Sequence, residues 1–139
     1  MARLKNKQGT GSKNLANPSN LGSKIPPIFE KPIFSLQSIS NNNDYSFKKC
    51  SDKEKLALIT RLVELSQHTW ATIHSENRHG IGSEKITISK EKKPPNTPND
   101  RQYYALRFDT GNKAFVGYKC DNGVFHINWI DRKYKLYSH

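Results

Sequence analysis

Arg78, His79, Lys85, Arg107 and His126 are the side chains in this 139-residue chain with the types needed to cut a phosphodiester without a metal. Cleavage of RNA through its own 2′-hydroxyl needs a base to withdraw that proton, cations beside the crowded phosphate, and an acid for the departing 5′-oxygen. Histidine suits either proton-transfer role because its reference pKa lies near about 6.5. Arg78, His79 and Lys85 surround a glycine-containing loop, while Arg107, Lys119 and His126 belong to a run of strands. No carboxylate pair and no compact Ser-His-Asp pattern offers an equally coherent chemistry. Cys50 and Cys120 lie too far apart for a CxxC motif, and with five histidines a zinc site needs several distant ligands to converge. Both cysteines are expected as buried thiols, with no metal and no cofactor.

The elements that must place these groups centre on NGVFHINWIDRKYKLY, residues 122–137. Strand alternation puts Phe125, Ile127 and Trp129 on one face, and Val124, His126, Asn128 and Ile130 on the other. Asn122-Gly123 favours a two-residue type I′ hairpin, which pairs Cys120 with Phe125, Tyr118 with Ile127 and Val116 with Trp129. Continued across Thr110-Gly111-Asn112, this register adds Tyr104, Leu106 and Phe108 to the same apolar face. The opposite face then carries three rows: Tyr103, Lys119 and His126; Ala105, Gly117 and Asn128; Arg107, Phe115 and Ile130. Small Ala105 and Gly117 leave a shallow depression beside Asn128, where Tyr103 is expected to stack on a base while Arg107 and Lys119 hold phosphate. Arg132 and Lys133 extend the expected RNA-binding surface. The alternative is the ordinary wet face of a small antiparallel sheet.

Against the apolar face the spacing predicts one long helix. Ser51 caps it with Glu54 three residues on, and Leu58, Ile59, Leu62, Val63, Leu65, Thr69, Trp70 and Ile73 form a stripe at helical period. A short strand is expected over Ile33–Ile39, held to the sheet edge by Pro32, and another over Lys85–Ser89. Residues 1–27 hold five basic residues and no acidic one among Gly, Ser, Asn and Pro, the composition of a flexible basic tail. Residues 28–139 read as a single α+β domain with a Pro-rich loop at 90–101. Lys and Arg outnumber Asp and Glu by 23 to 12, a formal net charge of +11, which favours nucleic acid or an acidic protein segment as partner. No apolar run approaches the roughly 18 residues of a membrane span, and no secretory signal is visible, so the expected location is the cytoplasm, away from membranes.

The order of strand, helix, RHGIGSEKI loop and a meander ending in FHINWIDRKYKLY resembles the small RelE/YoeB/HigB-like ribonuclease toxins over residues 30–139. The resemblance implies a RelE/ParE-like fold, a small antiparallel sheet packed against one long helix. It also implies a metal-independent endoribonuclease toxin that cleaves mRNA, on the ribosome or free, and is neutralised by an antitoxin protein covering the basic face. Position by position it places Arg78 and Lys85 in the basic loop-to-strand region, Arg107 as the central phosphate ligand, and Tyr134 or Tyr137 in the terminal aromatic role. His126 or His79 would then transfer protons, with Tyr134 a weaker acid candidate. The frequent terminal histidine-tyrosine pair is missing, since Tyr134 stands where histidine is expected and His139 is the last residue. ParE-like proteins share the fold and act by binding a protein. Two further readings therefore stand beside the nuclease: a non-catalytic nucleic-acid-binding protein, and a ParE-like or phage-encoded protein inhibitor.

Overall fold

The computed structural model describes residues 30–76, 82–89, 101–109 and 112–137. The tail at 1–27, most of the Pro-rich loop, and Arg78 and His79 lie outside the described residues. Along the chain come β1 (Ile33–Ser35), a 3-10 turn (Phe47–Lys49), α1 (Asp52–Leu65), α2 (Trp70–Ser75), β2 (Ser83–Ile86), β3 (Tyr103–Arg107), β4 (Ala114–Lys119) and β5 (Val124–Asp131). The described strands form one five-stranded sheet, ordered β1-β5-β4-β3-β2. β2 to β5 make the expected antiparallel meander, but β1 runs parallel to β5, so the sheet is mixed. The chain between this parallel pair carries both helices and the rest of the meander. Among the described residues no helix is long and apolar enough to cross a membrane.

α1 begins as its sequence dictates. Glu54 N–H donates to Ser51 Oγ at 3.1 Å and Ser51 N–H donates to Glu54 Oε1 at 2.7 Å, a complete capping box. The single long helix through Ile73 is not formed. The helix ends at Leu65, where the Ser66 hydroxyl donates to the Val63 carbonyl at 2.7 Å, and Thr69 then caps a second helix by accepting from Thr72 N–H at 3.2 Å. Hydroxyls that bond to nearby backbone compete with helix continuation, and both breakpoints carry one.

The hairpin also departs from the expected register. Gly123 N–H donates to the Cys120 carbonyl at 3.0 Å and Cys120 N–H to Val124 O at 2.8 Å, so the loop is Asp121-Asn122-Gly123 rather than two residues. Gly123 takes φ 88°, the left-handed position such a loop requires. The pairs become Lys119–Phe125, Tyr118–His126 and Gly117–Ile127. A β-bulge then restores the expected Val116–Trp129 pair, leaving Asn128 as the extra residue on β5. The bulged backbone crowds its neighbour: a Cβ on Gly117 would stand 1.8 Å from the His126 carbonyl oxygen.

This register gives the sheet an apolar core on each side. Against the helices lie Leu106, Phe108, Phe115, Phe125, Ile127 and Ile130, packed on Leu58, Leu65, Trp70 and Ile73. On the other side Tyr103, Ala105, Ala114, Val116 and Trp129 are buried beneath the C-terminal Leu136 and Tyr137. Val116 and Trp129 therefore face away from α1, not toward it. The C-terminal segment is tied down by Asp131, a fully buried carboxylate that accepts N–H bonds from Lys135 and Leu136, both at 3.0 Å.

Candidate functional site around His74

The residues best arranged for chemistry gather on the helix side of the sheet, near its β2 edge. Thr69 starts α2 so that Trp70 and His74, four residues apart, project from one face. Trp70 is fixed by its indole N–H, which donates to Gly123 O at 2.9 Å. His74 stacks on it with ring centroids 5.5 Å apart and planes 18° apart, while Tyr104 lies 4.9 Å from the imidazole. Ser83 and Lys85 alternate onto this face of β2, and Lys85 pairs with Tyr104 across the ladder. His74 Nδ1 sits 2.9 Å from Ser83 Oγ, and Lys119 Nζ lies 5.2 Å over the Trp70 ring.

These contacts set the protonation of the site. Desolvation first, then the positive charges of Lys119 and Lys85, hold the His74 imidazole below the ordinary histidine range. Burial also lowers the Lys119 ammonium, against a small opposing pull from Asp121. The site therefore favours a neutral imidazole beside Lys85, Lys119 and the Trp70 and Tyr104 rings. When the His74 Nδ1 hydrogen is donated to Ser83, Nε2 is left as the proton acceptor, the form a general base requires.

The expected residues are divided between the two sides of the sheet. Lys85 and Lys119 meet at His74. His126 lies on the opposite face, stacked on Tyr118 at 5.0 Å, and Arg101 covers the Tyr118 ring at 5.6 Å. Tyr103 and Asn128 are 2% and 4% exposed, which removes the proposed depression and its stacking surface. The register explains the separation: with a three-residue turn, Lys119 and His126 fall on opposite faces instead of in one row. Asn128 is used by the bulge, its carbonyl accepting from Ser40 N–H at 2.7 Å.

Arg107 and Tyr134 also sit away from His74. The Arg107 guanidinium donates to Asn112 Oδ1 at 3.0 Å and to the Tyr134 hydroxyl at 2.8 Å, and lies 5.0 Å over the Tyr134 ring. Tyr134 itself adopts φ 57°. Burial pushes the neighbouring Tyr137 hydroxyl well above the ordinary tyrosine range, helped by Glu84, to which that hydroxyl donates at 3.4 Å. Arg132 donates to the Asn43 carbonyl at 3.3 Å and lies 4.0 Å from Glu54. Lys133 is exposed, while Arg78 and His79 fall outside the described residues. Both cysteines are free thiols, Cys50 buried and Cys120 partly so.

His74 and Tyr104 were absent from the sequence-based site. The available signal was the Trp70-to-His74 spacing, which puts a titratable ring on an aromatic one as soon as Thr69 is recognised as a cap. Comparisons of the chain with family models, with curated proteins and with solved structures find no match.

Proposed function

We propose that this protein is a metal-independent endoribonuclease toxin that engages mRNA, free or on the ribosome, at the His74 edge of its sheet. The observation that carries the reading is the neutral-leaning His74 flanked by Lys85, Lys119 and Tyr104. In this mechanism His74 Nε2 takes the 2′-hydroxyl proton and the 2′-oxygen attacks phosphorus. Lys85 and Lys119 stabilise the added negative charge, and the 5′-oxygen leaves with a proton from solvent, giving a 2′,3′-cyclic phosphate. Tyr104 supplies an aromatic surface for an unstacked base. The net charge of +11 favours an anionic partner such as RNA.

The test is incubation of RNA with the purified chain, alone and with translating ribosomes, in EDTA, followed by analysis of the new ends. Cyclic phosphate ends are expected, and His74→Gln should slow their appearance by about 10²- to 10⁴-fold while largely retaining binding. Intact RNA under both conditions would overturn the nuclease reading. If binding persisted there and fell with Lys85→Ala and Lys119→Ala, the same site would be a non-catalytic RNA contact, which the aromatic cluster of Trp70, His74 and Tyr104 also suits.

A further inference from the structure

α1 is apolar on more of its circumference than the core uses. Leu58 and Leu65 point into the sheet, yet Leu56, Ile59 and Val63 are 69%, 47% and 59% exposed. Their spacing is i, i+3, i+7, that of a seam meeting another helix. Along the same flank runs a groove of about 430 Å³ that includes Leu36, Ile39, Phe47, Ile59 and Leu62 in its lining.

The charges identify the occupant. Although the chain carries +11, those of α1 cancel: Lys53, Lys55 and Arg61 against Asp52, Glu54 and Glu64. A neutral apolar stripe is a poor surface for nucleic acid and a good one for a helix. The stripe also matches itself. We infer that α1 pairs antiparallel with α1 of a second copy about a twofold axis midway between Ile59 and Thr60. Leu56 of each copy then faces Val63 of the other, both three and a half residues from the axis, and the two Ile59 side chains pack beside it. Lys53 and Glu64 lie on one flank of the seam, and a twofold axis brings like flanks together. Lys53 therefore meets Glu64 of the second copy with a stagger of two residues, about 3 Å. A parallel pair would instead bring opposite flanks together and leave Lys53 and Glu64 without this contact. Glu64 keeps a side chain 48% exposed while paired with Arg61 at 3.0 Å, and so remains accessible to this contact.

Sedimentation equilibrium of the full chain at micromolar concentration tests the inference. The expected mass is twice the monomer's 15.9 kDa. Leu56→Glu and Val63→Glu, both at exposed positions, should give monomers with unchanged circular dichroism. Lys53→Glu should raise the dissociation constant about tenfold, and adding Glu64→Lys should restore it. A mass of 15.9 kDa throughout the concentration range, or a dimer indifferent to Leu56→Glu, would overturn the pairing.

Discussion

His74 links its immediate surroundings to reactivity at the scale of one side chain. Desolvation and two nearby lysines disfavour its protonated form, so its pKa lies below 6.5, and the unfolded chain takes up a proton there first as pH falls. The neutral His74 thus favours the folded state above that pH, and the contribution is lost as pH drops through the folded-state pKa. Lys119→Met should remove one of the repelling charges and move the His74 titration upward, toward the ordinary value, as followed by imidazole NMR. An unmoved titration would leave the depression to desolvation and Lys85. For RNA cleavage the expected pH profile rises through the His74 pKa and levels above it, because only the deprotonated ring accepts the 2′-hydroxyl proton. Asp131 solves a different problem: its carboxylate carries no proposed chemistry but accepts from the backbone N–H groups of Lys135 and Leu136 and so holds the C-terminal turn in place.

Among the elements, what was legible in the sequence is what neighbouring residues decide. The Ser51–Glu54 box, the edge strand after Pro32 and the antiparallel meander all follow from local spacing, and the structure has them. The end of α1 at Leu65 is hidden because Trp70 and Ile73 continue the apolar stripe with nearly helical phase even though Thr69 opens a new helix just before them. The hairpin misled for a related reason: Asn122-Gly123 marks the turn, while Asp121 joins it and shifts every pair until the bulge at Asn128. A bulge depends on what crosses the neighbouring strand, and here that is the bare backbone of Gly117. Gly117→Ala would set a methyl against the His126 carbonyl, so a destabilisation of about 3 kcal/mol is expected by denaturant titration, with the bulge region losing amide protection first. A loss below about 0.5 kcal/mol would mean that the bulge slides at little cost. The divided site has the same origin, since one additional turn residue sends Lys119 and His126 to opposite faces.

Across the whole molecule the two sides of the sheet have separate tasks. The helix side holds the larger core and the His74 edge, while the other side is sealed by the C-terminal segment through Asp131, Leu136 and Tyr137. Joining them is β1, the short parallel edge strand, whose consequence is kinetic. Ile33 pairs with Val124, 91 positions away, whereas the β4–β5 hairpin closes within the few residues between Cys120 and Val124. Bringing distant segments together costs chain entropy before any contact compensates it, so the meander has the earlier route to structure and β1 docks late. Phe34, edge-on to Trp70, Phe115 and Phe125, reports that step. Phe34→Ala should cost about 2 kcal/mol and appear almost entirely as faster unfolding, with the refolding rate nearly unchanged; slower refolding instead would put β1 in the nucleus. Folding then proceeds against the direction of synthesis: β1 leaves the ribosome before β5, yet has no strand to join until β5 follows it.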